Sequence, residues 1–209
     1  MADADLPQIY LITPPQIDLG VFRDQLARTL DRTPVACLRL ALSSDDPDEV
    51  GGAADALREC AHDRDIPLVV DSHVGLVERH GLDGVHLPDS SRSVRKVRSA
   101  LGGDLIVGAF CGRSRHDGLN AGEAGADYVA FGPTSPSDLG DGGFASGDLF
   151  AWWSEMIELP VVAEGRLSEG TIRALARSAD FFAFGPEIWS EENPAESLAA
   201  FARVIEESA

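Results

Sequence analysis

Residues 105–133 run Leu105-Ile106-Val107-Gly108-Ala109-Phe110, then an Ala- and Gly-rich segment opening near Asp117, then Tyr128-Val129-Ala130-Phe131-Gly132-Pro133. Two short, near-continuous apolar runs flank a stretch with helical composition. A strand exposed on one face alternates apolar with polar residues; a strand buried on both faces is apolar throughout, as in a parallel sheet covered by helices. The same unit recurs on either side. Further apolar runs lie at Ile9–Ile12, Ala36–Leu42, Pro67–Val70, Gly84–Leu87, Pro160–Ala163 and Phe181–Phe184. Between them, apolar residues fall at helical intervals. Val21, Leu26 and Leu30 form one such set; Val50, Ala54, Leu57 and Ala61 form another. Val94, Val97 and Leu101, then Leu167, Ile172, Leu175 and Ala176, then Leu198, Phe201 and Ile205 continue the pattern. Asp117, Ser168 with Glu169, and Asn193-Pro194 read as helix starts. Eight strands alternating with helices predict an α/β fold, a single (β/α)8 TIM barrel of eight parallel strands in one domain over residues 1–209. A doubly wound open sheet is the alternative architecture.

Charge narrows the partners. The chain has 35 acidic residues against 17 basic ones, a net charge of −18. Such a surface repels nucleic acid and anionic membranes, so neither is expected as a partner. An anionic substrate then needs a local basic or dipolar pocket, and with Lys96 the only lysine, arginines must supply it. No apolar run reaches membrane-spanning length and the first residues are acidic, which predicts a cytoplasmic protein. Cys37, Cys60 and Cys111 are far apart and form no metal-ligand spacing; Cys37 and Cys111 lie in apolar runs and read as core thiols. Trp152 and Trp153 fit either a homo-oligomer interface or helix packing on the barrel.

In a barrel, ligands bind where the strands end, so the residues just after each run matter most. Arg39 lies between Leu38 and Leu40 and is predicted to point into the barrel, where a guanidinium requires an anion. That anion is either Asp71 or a substrate phosphate. Asp71 and Asp89 end neighbouring strands and suit Mg²⁺, which takes a few carboxylates alongside phosphates; the competing role for Asp89 is helix capping. His73 and His116 follow strands and are candidate proton carriers, whereas His86, inside a strand, reads as a core residue. Gly165 and Gly185 follow the seventh and eighth strands, where backbone amides can approach a phosphate. Glu164 stands beside them as an acid that repels phosphate unless Arg39 or Arg166 neutralises it. Ser114 and Thr134, at the starts of loops, complete the candidate phosphate-binding set.

These residues resemble a known family over essentially the whole chain. Ile9-Tyr10-Leu11-Ile12-Thr13, Leu38-Arg39, Asp83-Gly84-Val85-His86-Leu87, Gly125-Ala126-Asp127-Tyr128-Val129-Ala130-Phe131-Gly132-Pro133 and Pro160-Val161-Val162-Ala163-Glu164-Gly165 are similar to segments of thiamine phosphate synthase and its relative TenI. The resemblance implies joining of a hydroxymethylpyrimidine pyrophosphate to a thiazole phosphate, with Mg²⁺ as cofactor, Arg39 matching the arginine that faces the pyrophosphate and pyrimidine, and Asp71 resembling the acidic member of an Asn-Asp pair. Gly165 and Gly185 match the family's amide donors to the thiazole phosphate. Several positions depart from the pattern. Ala41 replaces a lysine, the Asn-Asp-Arg segment reads Asp71-Ser72-His73, and Ser91 aligns with the Mg²⁺ aspartate unless Asp89 substitutes. Pro133-Thr134-Ser135-Pro136-Ser137 lacks a Thr-Lys clamp, and Arg166 replaces the second glycine of a pair. Arg113, Arg115 and Arg166 are the available replacements for lost lysines. Gly112-Arg113-Ser114-Arg115-His116 resembles the TenI segment that supplies a catalytic histidine to a metal-free thiazole tautomerase; in a second register His116 falls in the following helix. A non-catalytic phosphate-ligand-binding paralogue is the third possibility.

Overall fold

The structure, a computed structural model, describes residues 6–135 and 143–208. The part of the sixth-strand loop at 136–142, including Pro136 and Ser137, lies outside the described residues. Eight strands, β1 (Gln8–Ile12), β2 (Cys37–Leu40), β3 (Leu68–Asp71), β4 (Gly84–Leu87), β5 (Ile106–Phe110), β6 (Tyr128–Phe131), β7 (Val161–Glu164) and β8 (Phe181–Phe184), pair in order and close into a barrel. Closure is direct: β1 is parallel to β2 through Tyr10↔Cys37 and to β8 through Tyr10↔Ala183. This excludes the open sheet. Around the barrel lie α1 (Leu19–Arg32), α2 (Pro47–His62), α3 (Val74–His80), α4 (Val94–Leu101), α5 (Arg115–Ala124), α6 (Gly147–Met156), α7 (Glu169–Leu175), the short α8 (Pro186–Trp189) and α9 (Pro194–Ser208).

The strands are apolar on both faces because each face meets a different core. Leu11, Leu38, Leu40, Val85 and Val129 face the helices and pack with Leu26, Leu57 and Trp153. Tyr10, Ile12, Cys37, Val69, Tyr128 and Val162 form a separate cluster. Strand residues two apart share a face, so Arg39 follows Cys37 into the interior. Gly108 makes room there: a Cβ at this position would lie 2.0 Å from the Tyr128 ring. The burial of Cys37 and Cys111 as free thiols follows the expectation.

Two helix assignments differ in detail from the sequence reading. In α1 the buried residue is Phe22, with Leu26, Thr29 and Leu30, while Val21 is 63% exposed. In α5 the cap is Ser114, whose Oγ accepts from the Asp117 amide at 3.1 Å; the helix begins at Arg115, two residues before Asp117. Asp117 sits in the first turn, where its charge also suits the helix dipole. Trp153 is buried against Phe131 and Trp152 is half-buried beneath Arg115, so both pack on the barrel side.

The N-terminal end of the barrel is held by a repeated device. Asp83, Asp127 and Asp180 each directly precede an even-numbered strand, and each Oδ2 accepts a backbone amide of the preceding odd strand. The amides belong to Leu68, Val107 and Val161, each at 2.7 Å. Asp127 also holds Arg98, which bonds the carbonyls of Gly125, Gly102 and Leu105. Asp127→Ala strands one strand amide and one guanidinium edge. A lost partner at a buried donor costs ~1–3 kcal/mol, so urea unfolding should show a loss in that range with an unchanged m-value.

Candidate active site

The chemistry gathers inside the C-terminal end of the barrel. Arg39 and Glu164, 5% and 3% exposed, reach across the interior from β2 and β7. Nη1 donates to Oε2 at 3.1 Å and Nη2 to Oε1 at 2.5 Å, a two-pronged pair. The anion hydrogen-bonded to Arg39 is Glu164, which Arg39 rather than Arg166 neutralises, and Asp71 is not bonded to it. Asp71 is near enough to act on both partners electrostatically. Burial alone would weaken the arginine's hold on its proton; the Glu164 and Asp71 charges outweigh it and keep Arg39 charged. For Asp71, burial raises the pKa while Arg39 pulls it back.

Beneath this pair lies a polar floor. The Tyr10 and Tyr128 hydroxyls are 2.7 Å apart, and Tyr128 Oη is 2.9 Å from His86 Nδ1. The Arg39 guanidinium stands 5.8 Å from the Tyr10 ring centroid. Burial, aided by the Arg39 charge, pushes the His86 pKa well down, so its imidazole is neutral; burial pushes both tyrosines well up. The core reading of His86 holds, with Tyr128 as the partner. Sequence reasoning passed over both tyrosines. The available signal was period two: Tyr10 is two residues from Ile12, and Tyr128 two from Ala130, on the inward face.

The two metal candidates differ from simple caps. Asp89 Oδ2 accepts the Ser93 hydroxyl at 2.6 Å, and Ser93 is the N-cap of α4 with no side-chain bond of its own to the helix. Asp89 thus holds a neighbouring hydroxyl rather than the helix amides. Its Oδ1 and the Oδ1 of Asp71 are buried without a hydrogen-bond partner. Among the described residues no three His, Cys, Asp or Glu side chains gather as a metal cluster. Each of the two carboxylates, at the ends of adjacent strands, thus keeps one buried oxygen without a hydrogen-bond partner.

At the tips of β6 and β7 the loops are tied together. The Thr134 amide donates to the Glu164 carbonyl at 3.1 Å, its hydroxyl to the Gly165 carbonyl at 3.0 Å, and the Ser135 hydroxyl to the Arg166 carbonyl. Gly165 and Arg166 both have positive φ, 98° and 54°. Arg166 therefore keeps a backbone conformation natural to glycine, at some strain, and its side chain is exposed. The nearby Leu167 amide is occupied: it donates to Glu187 Oε1 at 3.2 Å, while burial raises the Glu187 pKa.

The two candidate histidines differ in their relation to this centre: His73 adjoins Asp71 and acts on its carboxyl, whereas His116 is exposed on α5. His73 is the N-cap residue of α3, with Nδ1 2.9 Å from the Asp71 carbonyl oxygen. His116 lies in the first turn of α5, exposed, with Nε2 3.1 Å from Asn120 Nδ2. It is on the helix, not on the strand-end loop, because Ser114 rather than Asp117 starts α5. Ser114 spends its hydroxyl on that cap.

The family model described as Thiamine monophosphate synthase matches residues 9–188. The chain belongs to this family. A thiamine-phosphate synthase of Rhodospirillum centenum is 39% identical over 202 residues, covering 95% of this chain and 97% of that protein. Another from Erythrobacter litoralis is 35% identical over 212 residues, covering 98% and 99%. The thiamine phosphate pyrophosphorylase of Pyrococcus furiosus shares the fold, with a TM-score of 0.83 at 20% identity over 96% of each chain. Membership in the thiamine monophosphate synthase family makes the chain an enzyme of transferase type and agrees with the barrel read from the sequence. Among the described residues no helix is long and apolar enough to cross a membrane.

Proposed function

We propose that this chain is a thiamine-phosphate synthase, joining a hydroxymethylpyrimidine pyrophosphate to a thiazole phosphate with release of pyrophosphate. The likeness to named synthases over nearly the full length supports the reaction. The observation that carries the site assignment is the buried, unpartnered carboxylate oxygen of Asp71, whose charge acts on the buried Arg39; Asp89 offers a second such oxygen at the end of the adjacent strand. Asp71 and Asp89 would hold Mg²⁺, whose contribution is to neutralise the departing pyrophosphate. The protein's own groups do the rest. The Tyr10, Tyr128 and Ile12 interior closes the barrel below the reacting carbon and keeps water from it. The Gly165 and Gly185 backbone, with Arg166 at the rim, receives the thiazole phosphate. The acidic surface agrees with a small phosphorylated substrate drawn in by local groups, and with a cytoplasmic enzyme that avoids nucleic acid.

A metal-free, TenI-like tautomerase, or a binding module without catalysis, is the competing reading, and Glu164 favours it by occupying Arg39. One assay separates them. Purified protein with Mg²⁺ and both substrates is expected to give steady thiamine phosphate, detected by its oxidised fluorescence and abolished by EDTA. His116→Ala is expected to keep this rate within about twofold, since its side chain faces Asn120 on α5. No product from folded protein overturns the synthase reading; loss of a metal-independent activity in His116→Ala supports the tautomerase.

A further inference from the structure

An arginine that clamps an anion must bring surplus positive charge to it. Arg39 has none to offer. Glu164 holds both terminal nitrogens and cancels its charge, and Asp71 adds a further carboxylate acting on the same pair. A phosphate at this point would meet net negative charge at low dielectric. Yet Arg39 is not fully satisfied, because its Nε–H is buried and has no partner. A buried donor left open costs free energy unless a ligand completes it.

We infer that Glu164 is a specificity-determining residue that converts Arg39 from an anion clamp into a hydrogen-bond donor for an uncharged acceptor. The acceptor class that fits is the ring nitrogen of a neutral heteroaromatic group. The inference rests on the synthase reading and deepens it: the Arg39–Glu164 pair reads the uncharged ring of the substrate, and the diphosphate is held by other groups. The position matters for this division. Glu164 ends β7 and its carbonyl accepts the Thr134 amide, so the carboxylate is anchored in a rigid strand end. Tyr10 supports the guanidinium from below. A donor fixed on both sides is pre-organised for one acceptor position.

The test uses the full-length protein labelled with ¹⁵N and the side-chain Nε–H spectrum of its arginines, with Mg²⁺ present. The Arg39 signal is identified by its absence in the Arg39→Met/Glu164→Leu double variant, which removes both charges together. The unphosphorylated hydroxymethylpyrimidine is expected to shift the Arg39 signal, and magnesium pyrophosphate alone to leave it in place. In a second arm, Glu164→Gln frees the arginine's charge and is expected to tighten pyrophosphate binding by about tenfold. The inference is overturned if pyrophosphate alone moves the Arg39 signal. It is equally overturned if the pyrimidine shifts other signals but not this one, or if folded Glu164→Gln binds pyrophosphate no more tightly than the wild type. Should Glu164→Gln not fold, the wild-type spectra decide alone. Synthase turnover with an unmoved Arg39 signal sinks only the inference; absence of both turnover and pyrimidine binding sinks the synthase reading with it.

Discussion

Arg39→Ala is expected to lower the free energy of unfolding by about 3–5 kcal/mol, the usual cost of removing one member of a buried ion pair. Glu164 would be left at 3% exposure with no cation, and burial penalises an isolated carboxylate heavily. The loss includes the guanidinium stem packed near Tyr10. For a chain of this size it corresponds to a fall in Tm of roughly 6–20 °C. Differential scanning calorimetry checks it. The double variant Arg39→Met/Glu164→Leu should recover most of the loss, because a charge-free pair of similar volume carries no unpaired charge. A single variant as stable as the wild type would mean that water reaches Glu164 and that the barrel interior is wetter than its burial implies.

Asp71→Asn is expected to reduce thiamine phosphate formation by at least about 100-fold, the scale on which removal of one fixed group stabilising transition-state charge is felt. The Mg²⁺ concentration giving half-maximal rate should rise with it. Stability should not fall. Burial raises the Asp71 pKa above its ordinary value against the pull of Arg39, so ionising this carboxyl costs more in the folded protein than in the unfolded chain. The sign follows from linkage: the unfolded carboxyl ionises first as pH rises, so whatever stability Asp71 gives is present at low pH and lost as pH climbs through its folded pKa. Above that pH the ionised carboxylate weighs against the fold, and asparagine removes its desolvation cost together with the smaller attraction to Arg39. A large rate loss at unchanged Tm therefore marks a functional carboxylate. An unchanged rate would remove Asp71 from the site.

The residues were visible in the sequence, but which of several candidate partners Arg39 would take was not. Arg39 between Leu38 and Leu40 announced a buried cation, and Asp71 was the nearest acid on the adjacent strand. The partner proved to be Glu164, 125 residues away. Strands two and seven are far apart along the sheet until β1 pairs with β8, and only that closure brings their inward side chains together. His116 shows the opposite limit. Its place after a strand left two registers open, a TenI-like segment or the following helix, and the Ser114 cap puts it in the first turn of α5.

What the sequence by itself determined was local and periodic. Apolar runs longer than alternation allows required strands covered on both sides, and eight of them with helical spacing between left a barrel as the simplest closed arrangement. Family segments such as Gly125–Pro133 carried the kinship. Tertiary structure alone decided which polar groups meet: Glu164 with Arg39, Tyr10 with Tyr128 and His86, and an aspartate before each of three even strands with the amide beside it. Strand periodicity states which residues turn inward, but not which of them touch, because that depends on the stagger and curvature of all eight strands at once.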